Sequence, residues 1–353
     1  MSGLLVVAHE GTRTGSPTVL LHLLRHLRRR WSVPVAVDVR AEGPLAAPLR
    51  ALGDGPPGSL PPAVVWVNSA LAAAAAWEHP AGVPVVVYVH EQGEALDRLD
   101  DRARSALAER ADRVWCVNDA AGADLVRLGV DPVRLEVVPP VVVVPDVVDP
   151  GAGAALVSRL DLDPGRPLVV ACGEAGWRKG ADLFLDVCRR CAGREDLQFA
   201  WVGRRPRAFG RVLDHDTAVL GLAGRLRWTG ELADPLPLLA AASVLVLPSR
   251  EDPQPLVPLE AALVGTPTVA FAVGGVVELA TEGAALAVPY PDTAALAVAV
   301  ERLLREPGTG EALVAAARRR AATRHDLAVV GDRVVASLRE LAGDAVPRAG
   351  GSS

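Results

Sequence analysis

Two basic and two acidic side chains lie just after predicted strands, and their types suit the binding of phosphate and hydroxyl groups. Arg178 and Lys179 stand in a glycine-bounded loop that opens a helical pattern. Adjacent cations and the free N–H groups of a helix start favour a phosphate or a diphosphate. Asp252 lies in the loop after the run 244–247, and Glu260 lies in the next helix. Two carboxylates so spaced can accept hydrogen bonds from vicinal hydroxyls of a sugar or a ribose.

Lys179 is the single lysine of the sequence, beside 36 arginines. A compact ammonium group on a flexible stem can place a point charge where a planar guanidinium would not fit. The single lysine can have a function, or it can remain by chance in a sequence whose coding bias favours arginine, and the count alone fits both explanations.

Polar residues also follow two strands of the first half. His90 and Glu91 come directly after the apolar run 83–89. Functional side chains are common at the carboxyl ends of strands, because ligands of open α/β sheets bind there. A role in binding a polar ligand is therefore favoured over a surface histidine without a function. Gly15 and Ser16 end the loop after the first strand and open a helix with Pro17. Such a helix start favours anions, and a plain strand-to-helix turn explains the pattern equally well.

Length and composition exclude several classes of protein. The 353 residues suggest two domains at roughly 150 residues per domain, and half of them are apolar, which excludes a disordered chain. The net charge of −5, without a dense basic tract, argues against nucleic acid as the partner. Arg25 and Arg28–Arg30 complement the dipole of the first helix, and a weak membrane-surface contact of this cluster is the alternative.

Cysteine usage and the first residues favour the cytoplasm as the location. Four cysteines are too few for a disulfide scaffold, and no leader-like pattern opens the sequence. Cys188 and Cys191 lie within a helical pattern, so core packing is expected rather than zinc binding. No apolar run approaches the ~18 residues that a bilayer crossing needs.

Short apolar runs alternate with helical patterns along the whole chain, which predicts parallel sheets with crossover helices. The predicted strands are 4–8, 33–39, 63–67, 83–89, 114–117, 135–138, 168–172, 198–202, 226–228, 244–247, 268–271 and 286–288. The predicted helices are 17–30, 45–52, 69–77, 96–109, 120–128, 181–191, 234–242, 256–264, 293–305, 311–322 and 326–341.

A proline-rich segment after the sixth strand separates two doubly wound, Rossmann-like α/β domains that are expected to face each other across a cleft. The predicted domain bounds are 1–145 for the first domain, 146–166 for a linker, 167–323 for the second domain, 324–345 for a last helix and 346–353 for a loose tail.

The segment Pro248-Ser-Arg-Glu-Asp-Pro-Gln-Pro-Leu-Val-Pro-Leu-Glu-Ala262 resembles the carboxylate motif of retaining glycosyltransferases of the GT-B fold in the large family four, in the branch that reads Glu-Asp-Pro-x-Pro-Leu-Val. The His-Glu and Thr-Gly-Ser-Pro loop, the histidine after the fourth strand, the run 177–184 and the Gly274-Gly275 turn agree with it. The resemblance covers nearly the whole chain.

The resemblance implies a role for each matching residue. Arg178 and Lys179 would hold the donor diphosphate, Glu260 the ribose and Asp252 the transferred sugar, with His90 beside the anomeric centre. Position and resemblance together give the candidate catalytic residues His90, Arg178, Lys179 and Asp252, and the candidate substrate-binding residues Gly15, Ser16, Glu91, Gly173, Glu251, Pro255, Leu256, Val257 and Glu260.

The implied activity is transfer of a sugar from a nucleotide-sugar donor to a small-molecule, glycan or lipid-linked acceptor with retained anomeric configuration. The resemblance implies no cofactor and no metal, so the cations would stabilise the leaving diphosphate. It also implies that the last helix packs back on the first domain.

Three positions depart from the pattern of the family: Asp252 replaces a glutamate, Glu174 a common arginine and Ser243 a common aspartate. Asp252 and Glu174 keep open the alternative of a catalytically silent nucleotide-binding partner. A nucleotide-sugar epimerase of the same fold is the other alternative.

Overall fold

The computed structural model describes residues 2–143 and 149–343 of the chain. It divides into two compact units, of which the first comprises Met1–Val143 with Thr323–Ser353 and the second comprises Val144–Ala322. Residues 346–353, predicted as a loose tail, lie outside the described residues, as do residues 144–148, of which 146–148 belong to the predicted linker.

Each predicted apolar run corresponds to a strand, with ends that agree to within two residues. The strands of the first unit are β1 (Gly3–Ala8), β2 (Val35–Val39), β3 (Pro62–Asn68), β4 (Val85–Val89), β5 (Arg113–Cys116) and β6 (Leu135–Val137). Those of the second unit are β7 (Leu168–Cys172), β8 (Gln198–Val202), β9 (Leu226–Gly230), β10 (Val244–Leu247), β11 (Thr268–Phe271) and β12 (Leu286–Val288).

Helices connect successive strands in both units. They are α1 (Gly15–Arg30), α2 (Ala46–Arg50), α3 (Glu94–Asp97), α4 (Asp101–Ser105), α5 (Asp119–Arg127), α6 (Pro150–Arg159), α7 (Ala181–Arg190), α8 (Arg207–Val219), α9 (Leu236–Ala241), α10 (Val257–Leu263), α11 (Val276–Thr281), α12 (Thr293–Arg305), α13 (Pro307–Arg324) and α14 (Leu327–Ala342). Short 3₁₀ helices cover Ala70–Glu78, Pro132–Arg134 and Cys191–Gly193, and a π-helical turn covers Ala106–Arg110.

Both sheets are six-stranded and parallel, as predicted for a doubly wound α/β fold. The first has the order β2-β1-β3-β4-β5-β6, and the second has the order β12-β11-β10-β7-β8-β9. The strand order therefore reverses between β1 and β3 in the first sheet and between β7 and β10 in the second. Ligands of open α/β sheets bind at the carboxyl ends of the strands beside such a reversal.

Most strands are buried on both faces, which explains their continuous apolar sequences, whereas the edge strands β6, β9 and β12 are only partly buried. All residues of β4 and β10 are buried. In the first unit Trp66 and Tyr88 each meet Trp115 edge to face, and in the second Phe184 meets Trp201 in the same way. The few aromatic residues thus fill the core beside the sheets.

Several helices differ from the prediction for identifiable reasons. The predicted helix 96–109 breaks because the Asp100 carboxylate accepts a bond from Ala103 N and starts α4 anew. α8 was not predicted, although its apolar residues recur with helical spacing; only Gly210, Leu213 and Thr217 of this helix are buried. The segment 69–77, predicted as an α-helix, forms a 3₁₀ helix instead.

The predicted linker 146–166 holds α6, which was not among the predicted helices. The N–H group of the first residue of a helix has no partner within the helix, so a proline at this position costs no hydrogen bond. Pro150 can therefore begin α6. The Asp149 carboxylate caps the same end through Gly151 N at 2.8 Å.

Helix α14 packs on α1 within the first unit. Gly331 allows the close approach, since a Cβ atom there would lie 2.6 Å from the ring of His26. His26 Nε2 also lies 2.7 Å from Asp332 Oδ1, and the guanidinium of Arg339 lies over the ring of Trp31. No helix within residues 2–143 and 149–343 has the length and apolar character that a bilayer crossing requires.

Candidate active site

The loops after β7 and β10 bring Lys179 and Asp252 together at the strand reversal of the second sheet. Lys179 Nζ lies 2.5 Å from Asp252 Oδ2. Asp252 is 5% exposed, and the Ser249 hydroxyl donates to the same carboxylate oxygen at 3.3 Å. The single lysine of the chain is therefore one half of a largely buried ion pair.

Close backbone contacts hold these loops against each other. Gly180 has φ +72°, and a Cβ atom there would lie 1.9 Å from Pro248 O. Gly274 has φ +51°, and a Cβ atom there would lie 2.0 Å from Asp252 O. Side chains at these two positions would push the loops apart, so glycine is required where the loops meet.

Arg178 points to the backbone of the neighbouring loop. Its Nη1 donates to Glu251 O at 3.0 Å, while Arg250 N donates to Arg178 O at 2.8 Å. The guanidinium is otherwise exposed. Glu251, a predicted substrate-binding residue, thus contributes its carbonyl group to the joint between the loops.

Arg250 braces the same region from the opposite side. Its guanidinium forms two bonds to the Asp182 carboxylate, at 2.8 and 2.7 Å, and lies 4.9 Å from the centre of the Trp177 ring. A forked pair of this kind fixes a guanidinium in direction as well as position. The loop was predicted from the sequence, but the role of Arg250 in supporting it was not.

Gly173 and Glu174 follow β7 directly. The Gly173 carbonyl accepts a bond from Trp201 Nε1 at 2.8 Å, and its Cα lies against the stem of Lys179. Glu174 is paired with Arg204 from the loop after β8. Many members of the family have an arginine at this position. Here it is occupied by a carboxylate whose charge is balanced by Arg204.

Glu260 lies in the first turn of α10, and within the described residues its carboxylate has no hydrogen-bond partner. Burial, together with the negative charge of Asp234, raises its pKa to about 7. Its charge also raises the pKa of Cys172, after the larger effect of burial, which places Glu260 near the end of β7. The Pro255–Val257 segment leads into the helix, with Pro255 buried and Val257 packed on the core.

A second group of polar residues lies at the strand reversal of the first sheet. His90, after β4, has Nε2 3.1 Å from Asn68 Oδ1, and the Asn68 amide nitrogen lies 2.8 Å from Ser16 Oγ. Burial and the neighbouring His9 lower the pKa of His90 to about 3. The imidazole is therefore neutral at physiological pH.

Glu91 does not reach outward as predicted. Its carboxylate accepts bonds from Ser69 Oγ at 2.5 Å, from Ala70 N at 3.0 Å and from His90 N at 3.0 Å. Ser69 has φ 110°, a strained value for a residue with a side chain. Glu91 thus holds the strained turn after β3.

The loop after β1 is closed by Glu10. Its carboxylate accepts bonds from the hydroxyls of Thr12 at 2.7 Å and Thr14 at 3.0 Å, and lies 3.3 Å from His9 Nε2. The bond with His9 and those with the threonines lower the pKa of Glu10 to about 2 against the effect of burial. Gly15, a predicted site residue, is the first residue of α1, directly after this loop.

The structure brings together some predicted site residues and separates others. Lys179, Asp252, Arg178 and Glu251 meet in the second unit, and His90 and Ser16 meet through Asn68 in the first. Asn68, Ser249 and Arg250 were not among the predicted site residues, although Asn68 ends β3 and the other two lie in the loop after β10, where polar residues signal a site. Within the described ranges, no three His, Cys, Asp or Glu side chains form a group that could hold a metal ion.

Comparison with known proteins agrees with this architecture. Residues 166–306 match the model described as glycosyl transferases group 1, and residues 58–144 match the model described as glycosyltransferase family 4. The chain is built from two glycosyltransferase domains.

Curated relatives of this glycosyltransferase chain include D-inositol 3-phosphate glycosyltransferase of Salinispora arenicola, which is 32% identical over 303 residues. That alignment covers 77% of the chain and 66% of the relative. Alpha-D-kanosaminyltransferase of Streptomyces kanamyceticus is 30% identical over 192 residues, which cover 53% of the chain and 49% of the relative. The chain thus spans between about half and about two thirds of the lengths of these two relatives.

Solved glycosyltransferases share the fold of the chain. Anabaena Alr3699/HepE, crystallised with UDP-glucose, has a TM-score of 0.82 at 19% identity, over 96% of this chain and 99% of that one. WaaG, a glycosyltransferase involved in lipopolysaccharide biosynthesis, has a TM-score of 0.71 at 17% identity, over 94% of this chain and 98% of its own. Both similarities concern the fold of the protein.

Proposed function

We propose that this chain transfers a sugar from a nucleotide-sugar donor to an acceptor hydroxyl, with retention of the anomeric configuration and without a bound metal. The observation that carries the proposal is the pair of Lys179 and Asp252 at the strand reversal of the second sheet. A cation suited to a diphosphate and a carboxylate suited to sugar hydroxyls lie there side by side.

Lys179 would stabilise the negative charge that develops on the leaving nucleoside diphosphate. Its ammonium is held by Asp252 before any donor binds, so little reorganisation is needed when the charge develops. Arg178 would add a second cation from the same loop, since its guanidinium is exposed beyond the bond to Glu251 O. These two side chains take the part that a metal ion plays in other transferases.

Asp252 would bind hydroxyl groups of the transferred sugar. Its Oδ2 is engaged by Lys179 and Ser249, while Oδ1 has no partner among the described residues. An ionised carboxylate oxygen accepts up to two hydrogen bonds, which suits neighbouring sugar hydroxyls. The shorter side chain of aspartate places this oxygen one methylene nearer the backbone than a glutamate would.

Glu260 would bind the ribose of the nucleotide, as the resemblance implies. Its carboxylate lies in the first turn of α10 and is unpaired in the described chain, so two vicinal hydroxyls would satisfy it. The first unit would bind the acceptor, with His90 as its contact to the reacting groups. A small polyol phosphate is a suitable first acceptor, because one relative is named for D-inositol 3-phosphate.

The test is a donor panel with and without acceptor. Thermal-shift measurements with UDP, GDP, ADP and TDP select the nucleotide, and turnover is then followed by release of nucleoside diphosphate from UDP-glucose and related donors. We expect release that depends on an acceptor, persists in EDTA, and yields a product with the anomeric configuration of the donor by NMR. Conversion of donor without acceptor would instead identify an epimerase.

A matched pair of variants tests the site itself. Lys179→Met should abolish donor binding in calorimetry, because the diphosphate loses its nearest cation. Arg166→Met removes a cation at the opposite, amino end of β7, where Arg166 is paired with Asp163, and should leave donor binding unchanged. Equal donor affinity in wild type and Lys179→Met would refute the proposal, and tight donor binding without turnover for any acceptor would support a silent binding partner.

A further inference from the structure

A buried asparagine, Asn68, connects the first turn of α1 to His90. It is the last residue of β3 and is fully buried. Its amide nitrogen lies 2.8 Å from Ser16 Oγ and 3.4 Å from Ser16 O, while its amide oxygen lies 3.1 Å from His90 Nε2. Asn68 belongs to none of the motifs that the sequence analysis singled out.

The Ser16 carbonyl determines which way the Asn68 amide faces. A carbonyl oxygen can only accept hydrogen bonds, so the NH₂ group of Asn68 must point toward it. The amide oxygen then faces His90, and because this oxygen also can only accept, His90 Nε2 must carry a proton.

A neutral imidazole has one N–H group, so a proton on Nε2 leaves Nδ1 as an acceptor. The ring stays neutral at physiological pH because burial and the nearby His9 lower the pKa of His90 to about 3. None of the described residues bonds to His90 Nδ1.

Tyr88 fixes the ring from a second direction. The centres of the Tyr88 and His90 rings are 4.1 Å apart, and the Tyr88 hydroxyl donates to Val138 O at 2.8 Å. Tyr88 is also the partner of Asn68 in the register of β3 and β4. The two residues that hold His90 are therefore placed by the same strand pair.

We propose that Asn68 is a positioning residue that keeps the proton of His90 on Nε2, so that Nδ1 accepts a hydrogen bond from a substrate hydroxyl group. The part concerning the substrate rests on the proposed function, whereas the tautomer is a property of the free protein. On this assignment His90 serves as a hydrogen-bond acceptor and does not donate a proton to the leaving group.

The tautomer is tested by NMR of protein labelled with ¹⁵N-histidine, without substrate. The sequence has seven histidines, and the signals that vanish in His90→Gln belong to His90. We expect one protonated Nε2 and one unprotonated Nδ1 in the wild type, and a mixture of both tautomers in Asn68→Leu, which has a similar size but no amide.

Asn118→Ala is the matched control for loss of a buried asparagine in the same unit. Asn118 caps α5 through a bond from Ala121 N at 2.8 Å, so the variant should lose stability without changing the His90 signals. A wild-type spectrum with the proton on Nδ1, or an unchanged His90 spectrum in Asn68→Leu, would overturn the inference.

Kinetics test the consequence for the reaction. Asn68→Leu should lower kcat on the order of 10- to 100-fold, by analogy with the loss of partners that orient metal-binding histidines, with the donor KM nearly unchanged. Asn68→Asp keeps an acceptor oxygen toward His90 and should recover part of that loss. A kcat of Asn68→Leu equal to the wild type, or no recovery in Asn68→Asp, would contradict the positioning role.

Failure of the proposed function would be recognised separately. A wild type that turns over no donor with any acceptor contradicts the transferase proposal, while the NMR spectra still decide whether Asn68 sets the tautomer. The two experiments therefore do not depend on each other.

Discussion

At the carboxyl edge of the first sheet, the acidic side chains are engaged by hydroxyl groups, backbone amides and a histidine. Glu91 accepts bonds from a serine hydroxyl and two backbone amides, and Glu10 accepts from two threonine hydroxyls and lies beside His9. At the corresponding edge of the second sheet, Asp252 is held by an ammonium group, and Glu260 has no partner in the described chain. The two edges share one topology but differ in their polar chemistry.

The difference indicates that the two edges have different roles. An acid whose bonds are already made within the protein has little left for a ligand, so the first edge is suited to shaping a turn and placing His90. The second edge holds the buried ion pair of Lys179 and Asp252 and the carboxyl group of Glu260, whose pKa is raised. A ligand that supplies a charge or hydrogen-bond donors to these groups would stabilise them. Four substitutions test this contrast, beginning with the one of largest expected effect.

Breaking the ion pair of the second edge should have the largest effect. Lys179→Met leaves Asp252 charged, buried and unpaired, which should lower the free energy of unfolding by about 3–5 kcal/mol. Urea denaturation measures it. The matched double variant Lys179→Met with Asp252→Asn removes both charges and should regain most of the stability. If the single and double variants were equally unstable, the pair would not be coupled.

Removing Glu91 should weaken the first edge without touching donor binding. Glu91→Ala leaves the Ser69 hydroxyl and the amides of Ala70 and His90 without an acceptor, at about 1–3 kcal/mol in total. Urea denaturation and calorimetry with the donor measure the two effects. The control Glu94→Ala removes an exposed acid of the same unit that pairs with Arg98 and should change neither. A large loss of donor affinity in Glu91→Ala would restore its predicted role in substrate binding.

Glu260 should make the second edge sensitive to pH. Its pKa is raised from 4.5 to about 7 by burial and by Asp234. Between pH 4.5 and about 7, the folded chain therefore keeps a proton on Glu260 that the unfolded chain has lost. Stability from the neutral form is therefore lost as the pH rises toward and beyond 7. Glu260→Gln should match the wild type near pH 4 and exceed it at pH 8 by about 1–3 kcal/mol.

Denaturation at several pH values measures this difference between Glu260→Gln and wild type. The same variant should bind a nucleotide-sugar more weakly at pH 8, because an amide cannot replace a carboxylate that accepts from both ribose hydroxyls. A stability difference that does not change between pH 4 and pH 8 would contradict the raised pKa.

The smallest effect on stability is expected from Glu174→Gln. Its partner Arg204 and Glu174 are both exposed, so the loss of the pair should change stability by less than about 1 kcal/mol. Donor affinity should rise severalfold, because an acid beside the cation loop is removed and Arg204 is released. Calorimetry with the nucleotide-sugar measures the donor affinity of this variant. An unchanged affinity would show that Glu174 does not weaken binding of the diphosphate.

Much of the fold could be predicted from the sequence, because buried parallel strands need continuous apolar runs. The runs at β4, β7 and β10 consist almost entirely of valine, leucine and alanine, and each became a strand. Helix α8 was missed although its apolar and polar residues recur with a helical period, so its omission does not reflect a weak signal in the sequence. α6 escaped because prolines were taken as breaks, although a helix can begin at one.

The candidate site was predicted in part for a similar reason. Lys179 and Asp252 each follow a strand, and the rule on strand ends predicts that they approach each other. The same rule applied to the end of β3 would have drawn attention to Asn68. The inward turn of Glu91 could not be foreseen, since it depends on the strained backbone at Ser69, and sequence spacing carries no information on that angle.

The pairing of the single lysine with Asp252 also provides a chemical handle. An acylating or reductively alkylating reagent can modify only one side-chain amine in this polypeptide, and that amine lies where the leaving group would rest. Mass spectrometry of the labelled fraction would therefore report occupancy of one defined location without mutagenesis. Arginine at that position would have left the protein without this intrinsic reporter.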